Sequence, residues 1–178
     1  VLAHGSGSQL TCISRDAGKT WRTANPNGGS GGGFVAGVWG DGRGVILTGG
    51  MNGVWRSADW GATFTQTYVG CTVQGLRGDG SGRVFGTCED VVLRSTDNGQ
   101  SFTATQLRSG ALGNWHGVYA EGKRVFVAGP WGMIYTSTDE GLSWRREESA
   151  TSLTLWGLTG GAAGEVLAAA QNGLLIRR

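Results

Sequence analysis

Apolar and polar residues alternate with a period of two in short runs, and Gly-, Asp- or Asn-containing turn signals separate the runs. FVAGVWG (34–40), GVILTGG (44–50), GVWRS (53–57) and ATFTQTY (62–68) form one set of four. VQGLRG (73–78), RVFGTC (83–88), VVLRS (91–95) and QSFTATQ (100–106) form a second, and WHGVYA (115–120), RVFVAG (124–129), MIYTS (133–137) and LSWRREE (142–148) a third. Alternation of this kind, rich in β-branched and aromatic residues, predicts half-buried strands joined by tight turns. No amphipathic stretch of helical length interrupts it, so the expected class is all-β.

Between the third and fourth runs of each set stands S-x-D-x-G-x-[ST]-[WF]. It occurs at 14–21, 57–64, 95–102 and 137–144 without a mismatch. The aspartates, Asp16, Asp59, Asp97 and Asp139, follow one another at about forty residues, the size of a four-stranded propeller blade. A catalytic group is seldom needed in four copies, whereas a turn often is. The Asp accepts hydrogen bonds from backbone N–H groups ahead of it, the Gly adopts a positive φ, and the aromatic supplies area for packing between sheets. The motif therefore reads as scaffold: Ser14, Asp16, Gly18, Thr20 and Trp21; Ser57, Asp59, Gly61 and Phe64; Ser95, Asp97, Gly99 and Phe102; Ser137, Asp139, Gly141 and Trp144.

These four motifs resemble Asp boxes (BNR repeats), and the resemblance extends over essentially the whole chain. Propellers of that family include sialidases and other glycan-acting enzymes, sortilin-type receptors and photosystem II assembly factors. The resemblance implies that each box joins the third and fourth strands of a blade, on the face away from the ligand. Residues 1–178 are then one β-propeller domain. Partial repeats at both ends bring the count to five second–third hairpins, giving five blades, the first without its inner strand and the last without its outer strand. Four blades with a surplus hairpin, or part of a larger ring, are the alternatives. Incomplete blades leave unpaired edges that favour self-association.

Composition narrows function mainly by exclusion. Gly is 35 of 178 residues, without a collagen-like period, and eight Trp argue against disorder. A net charge of +2 with both signs scattered excludes a nucleic-acid stripe, and no apolar run is long enough for a membrane helix. The sequence opens at Val1 with neither a starting Met nor a signal-like segment, which suggests a processed product or a piece of something longer. Cys71 and Cys88 flank the turn at 79–82 almost symmetrically; a disulfide across that hairpin and two half-buried thiols are both open readings.

Candidate chemistry is sparse. Four of the seven aspartates are in the boxes, and Asp41 and Asp79 occupy D-G turns. Glu89 and Asp90 are adjacent, and their side chains diverge on extended backbone, unlike a glycosidase pair facing across a sugar. The sialidase arginine triad, Tyr–Glu nucleophile pair and R-I-P motif are not matched, so no enzymatic activity, cofactor or metal site is expected. GGSGGG (28–33) reads as a connection between blades.

A ligand is expected on the face opposite the boxes. The second–third turns there offer Ser6, Ser8, Met51, Asn52, Glu89, Asp90, Trp131, Gln171 and Asn172. Connections and early first strands add Tyr68, Gln74, Arg108, Asn114, Trp115, His116 and Trp156, with Trp115 and Trp156 read as core-facing. The ligand-binding set is Trp131, Glu89, Asp90, Asn52, Asn172, Arg108, Trp115 and His116. Trp131, between Pro and Gly at a hairpin tip, is the residue best placed to meet a sugar ring or a protein partner. The expected function is a non-enzymatic, lectin-like or protein-binding propeller in an extracellular, periplasmic or cell-surface setting. A fragment of a glycan-acting hydrolase and an assembly scaffold are the alternatives.

Overall fold

The computed structural model describes residues 1–4, 10–26, 35–108, 110, 115–160 and 164–177. Ser6, Ser8, Asn114 and the Gly-rich segment 28–33 lie outside the described residues.

The described strands form five antiparallel sheets in which chain neighbours are sheet neighbours. Blade 1 holds β1 (Leu2–His4), β2 (Thr11–Ile13) and β3 (Arg22–Ala24). Blade 2 holds β4 (Val35–Gly40), β5 (Ile46–Gly50), β6 (Gly53–Ser57) and β7 (Thr65–Tyr68). Blade 3 holds β8 (Gly75–Gly78), β9 (Val84–Cys88), β10 (Val91–Ser95) and β11 (Thr103–Gln106). Blade 4 holds β12 (Gly117–Glu121), β13 (Arg124–Ala128), β14 (Ile134–Ser137) and β15 (Arg145–Glu147). Blade 5 holds β16 (Leu155–Gly160), β17 (Val166–Ala170) and β18 (Leu175–Arg177). The fold is a β-propeller of five blades, with the first lacking an inner strand and the last an outer one among the described residues.

Consecutive blades stack face to face. β1 packs on β4, β4 on β8, β8 on β12 and β12 on β16, whereas among the described residues no contact of similar extent joins blade 5 to blade 1, so these strands form an open arc. A separate apolar core fills each joint between later blades: Leu47 and Val54 meet Val73, Leu76 and Leu93 between blades 2 and 3. Phe85 and Val92 meet Trp115, Val118 and Val127 between blades 3 and 4. Ala128 and Ile134 meet Leu155, Leu158 and Ala168 between blades 4 and 5. Because second strands are covered on both faces, β5 and β9 are buried along their whole length and carry short apolar runs.

The four repeated turns are built alike. The motif Ser donates from Oγ to Asp Oδ1 at 2.7–2.8 Å and accepts the N–H of the motif Gly at 2.7–2.9 Å. The hydroxyl residue (Thr20, Thr63, Ser101 or Ser143) donates its N–H to Oδ1 at 2.9–3.0 Å and its Oγ to Oδ2 at 2.5–2.6 Å. Both residues after the Asp occupy the left-handed region, at φ 59–63° for Ala17, Trp60, Asn98 and Glu140, and then at the Gly. The hydrogen bonds these carboxylates accept come from their own turns, as a structural turn requires.

The turns also lock the blades to one another. Arg56 Nε on β6 donates to Asn98 O at 2.9 Å, and Arg94 Nε on β10 donates to Glu140 O at 2.7 Å. Arg22 makes the corresponding bond to Trp60 O from blade 1. Cys71 and Cys88 form a disulfide, with Cα atoms 6.1 Å apart, that fixes the approach to β8 against the end of β9.

Candidate functional site

The hydrogen-bond pattern separates two ends of the arc. At one end the repeated turns meet the first–second turns, through Trp60 N–H to Gly44 O, Asn98 N–H to Gly82 O and Glu140 N–H to Lys123 O at 2.7–2.9 Å. At the other end the start of each inner strand pairs with the end of its second strand: Val35 with Gly50, Gly75 with Thr87, Gly117 with Ala128 and Leu155 with Ala170. The second–third turns therefore share this end with the first residues of the inner strands.

A repeated tripeptide lines the axis here. Ala36-Gly37-Val38, Gln74-Gly75-Leu76, His116-Gly117-Val118 and Trp156-Gly157-Leu158 come from blades 2 to 5 and border an open cleft of about 280 Å³. The glycines permit close approach. A Cβ on Gly37 would lie 2.9 Å from Leu76 N, one on Gly75 2.4 Å from His116 O, and one on Gly117 3.1 Å from Leu158 N. The preceding residue differs in every blade, so one backbone plan presents a methyl, an amide, an imidazole and an indole around the axis.

The imidazole of His116 lies 4.2 Å from the Trp156 ring system, with planes 35° apart. Burial lowers the His116 pKa below its ordinary 6.5, so the ring is mainly neutral at pH 7. Trp156 is 54 % exposed and overturns its core-facing expectation. Trp115 is the converse correction. It is fully buried in the joint between blades 3 and 4, edge-on to Tyr135 at 5.4 Å, and cannot meet a ligand. Adjacent residues on extended chain point to opposite sides, and Trp156 is equivalent to His116 rather than to Trp115.

The remaining candidates form the rim. Asn52, Glu89, Trp131 and Asn172 occupy the second–third turns of blades 2 to 5, all with positive φ (70°, 44°, 53° and 64°). Asn tolerates this region, but Trp and Glu do so at a cost. Trp131 is 55 % exposed between buried Pro130 and Gly132, and its turn packs beside β16. Asp90 Oδ2 accepts from Gln106 Nε2 at 3.4 Å, and Asp90 O accepts from Leu107 N–H at 2.9 Å, which brings exposed Arg108 to the Glu89–Asp90 turn. The cleft thus unites Gln74, His116 and Trp156, with Trp131 on the same side of the arc. Asn52 and the Glu89–Asp90 turn stand on blades 2 and 3, which border the cleft through their inner strands, but these two turns do not line it. The outward facing of Trp156 has its signal in the x-Gly-[Val/Leu] register, legible only when the four inner strands are aligned.

No protein-family model and no curated protein matches the sequence. Solved structures match in fold. YCF48 bound to a D1 peptide is 19 % identical with a TM-score of 0.64, over 81 % of this chain and 50 % of that one. A GH74 enzyme from Niastella koreensis is 25 % identical with a TM-score of 0.67, over 96 % of this chain and 27 % of that one. A protein of unknown function from Bacteroides caccae is 14 % identical with a TM-score of 0.72, over 99 % of this chain and 71 % of that one. The chain thus spans half of the YCF48 chain and about a quarter of the GH74 chain. Among the described residues no helix is long and apolar enough to cross a membrane.

Proposed function

We propose that this chain is a non-enzymatic binding propeller of the Asp-box type that takes up a glycan or a protein surface on the face opposite the repeated turns. The observation that carries this reading is the His116–Trp156 ring pair in the axial cleft, flanked by the turn that projects Trp131. Exposed aromatic faces beside amide and imidazole groups suit stacking on sugar rings and anchoring of protein segments alike. The two carboxylates on this rim, Glu89 and Asp90, are sequence neighbours in one turn, an arrangement suited to polar contact rather than to a facing acid–base pair. YCF48, which shares the fold, binds a peptide. The Cys71–Cys88 disulfide favours placement outside the cytoplasm.

The test is a glycan array and a displayed-peptide library probed with the chain and with Trp131→Ala and Trp156→Ala. Saturable binding by the parent, lost in either variant, supports the reading. Absence of binding to both by folded protein rejects it. The GH74 similarity favours a second reading, in which this arc is part of a larger glycan hydrolase with its catalytic carboxylates contributed elsewhere. Hydrolysis of an arrayed glycan by the chain alone would displace both readings in favour of an enzyme complete in this chain.

A further inference from the structure

The residue before each inner-strand glycine stands where two residues face one. β4 shifts register between Val35 and Gly37, and β16 between Leu155 and Gly157, so Ala36 and Trp156 are passed over by the cross-strand pairing. In blade 3 the N–H groups of Gln74 and Gly75 both bond to Thr87, one to its carbonyl at 2.8 Å and the other to its hydroxyl at 3.1 Å. In blade 4 His116 donates its N–H to Ala128 O at 3.1 Å, and Gly117 is the register partner of the same Ala128. A bulge re-aims the extra side chain, and all four of these residues border the axial cleft. Trp156 looks back to blade 4, where it meets the His116 ring, so this wall is made by contacts within the described chain.

The chemistry offered here is uncharged. Among the described residues no carboxylate, ammonium or guanidinium borders the cleft. Arg77, Tyr119 and Glu121, the charged and titratable side chains farther along β8 and β12, lie toward the repeated-turn end, with Arg77 over the Tyr119 ring. Glu89 and Asp90 stand on the blade 3 rim turn and do not line it. Burial therefore acts on His116 without an opposing charge and keeps the ring neutral at pH 7. A neutral imidazole and an amide each donate and accept, as sugar hydroxyls do, and the exposed Trp156 indole suits the C–H face of a pyranose. Leu76 and Val118 are buried in the joints between blades, which leaves no deep apolar socket for a peptide side chain. An anion entering the cleft would meet no cation.

Building on the binding reading above, we propose that the axial cleft takes a pyranose ring of a neutral glycan, stacked on Trp156 and hydrogen-bonded by Gln74 and His116, and rejects anionic sugars. Such a ligand covers His116 further with uncharged groups and makes its protonation harder still. Binding and protonation then oppose each other, and the effect is reciprocal. Affinity is fully expressed while His116 is neutral and falls as the pH drops through the range in which the free protein takes up that proton. An anionic ligand has the opposite sign, since it favours the imidazolium and binds more tightly in acid.

The experiment is an array of neutral glucose, galactose and mannose oligosaccharides, their uronic- and sialic-acid-bearing counterparts and a displayed-peptide library. It is probed at pH 7.5 and pH 5 with the full chain, Trp156→Ala, His116→Gln and Trp131→Ala, each checked for folding by its melting curve. Neutral oligosaccharides are expected to bind, and acidic counterparts at least about tenfold more weakly. Affinity for the neutral probes should fall several-fold at pH 5 and drop by about tenfold or more in Trp156→Ala. The pH dependence should flatten in His116→Gln. If a variant fails to fold, the sign of the parent's pH dependence decides. Preference for anionic sugars, or affinity that rises in acid, overturns the proposal and leaves the binding reading standing. Binding to peptides alone does the same, as does glycan binding lost in Trp131→Ala but kept in Trp156→Ala, which places the ligand on the rim. No binding to any probe by folded protein overturns both.

Discussion

The guanidinium Nε of Arg94 donates to the carbonyl oxygen of Glu140 at 2.7 Å, tying the third strand of one blade to the repeated turn of the next. The Glu140 carbonyl belongs to a residue in the left-handed region, φ 63°, and points out of its own turn. The bond thus joins two structures that sequence neighbours alone would leave separate. Arg94→Ala removes a charge-assisted bond from a half-covered site and should cost about 1–2 kcal/mol. For a domain of this size that lowers the thermal midpoint by about 2–4 °C per kcal/mol. An unchanged midpoint by scanning calorimetry would mean that packing alone holds the joint.

Acid should loosen the fold through the repeated turns. The Thr20 hydroxyl, its N–H and the Ser14 hydroxyl lower Asp16 from 3.8 to about 2. Asp97 reaches about 2 as well, since bonds from Ser101 and Ser95 outweigh an opposing effect of burial. Asp59 and Asp139 are lowered further still, first by the hydroxyls of Thr63 and Ser143. A carboxylate with a depressed folded pKa stabilises the fold above its unfolded value and loses that contribution as pH falls through the folded value. Urea midpoints should therefore decline as pH drops from about 4 toward 2. Asp139→Asn should be less stable at pH 7 and show a shallower decline. A decline centred near pH 6 would point to His116 instead.

Trp131 holds a backbone conformation that bulky residues resist. Replacing it with Asn, which already fills the equivalent positions at Asn52 and Asn172, should raise stability by ~1 kcal/mol. Ligand binding should be lost in the same variant, the pattern expected where strain is kept for function. A lower urea midpoint for Trp131→Asn would show that the indole packs against its surroundings and contributes to the fold.

The inner-strand glycines should differ in tolerance although their sequence contexts match. A Cβ at Gly75 would stand 2.4 Å from the His116 carbonyl oxygen, which belongs to backbone and cannot turn aside. Gly75→Ala should force blades 3 and 4 apart and cost ~1–3 kcal/mol. Gly157→Ala meets open space and should leave the stability to chemical denaturation within ~0.5 kcal/mol of the parent. Equal effects at both positions would contradict the assigned blade geometry.

Much of the architecture is local enough to be read from the chain. Two-residue alternation defines the strands, and the S-x-D-x-G-x-[ST]-[WF] turn is closed by its own side chains, so its hydroxyls, carboxylate and Gly specify one geometry wherever they occur. Four copies about forty residues apart then give the blade, the strand order and the side on which the turns lie. For Cys71 and Cys88 the near-symmetry about the turn at 79–82 left a disulfide and two half-buried thiols both open, and the structure joins them.

What tertiary structure alone decided depends on facing and on company. Trp115 and His116 are adjacent, yet one enters the joint between blades 3 and 4 and the other lines the axial cleft. A shift of one residue reverses every side chain on a strand, so composition could not distinguish Trp115 from Trp156. Arg56 and Arg94 share a register position on their third strands, but only the stacking of the next blade supplies the turn carbonyls of Asn98 and Glu140 that they bind. The sequence by itself determined the blade and its turns, since those are short-range hydrogen bonding and alternation. The site was decided by which surfaces the stacked blades bring together.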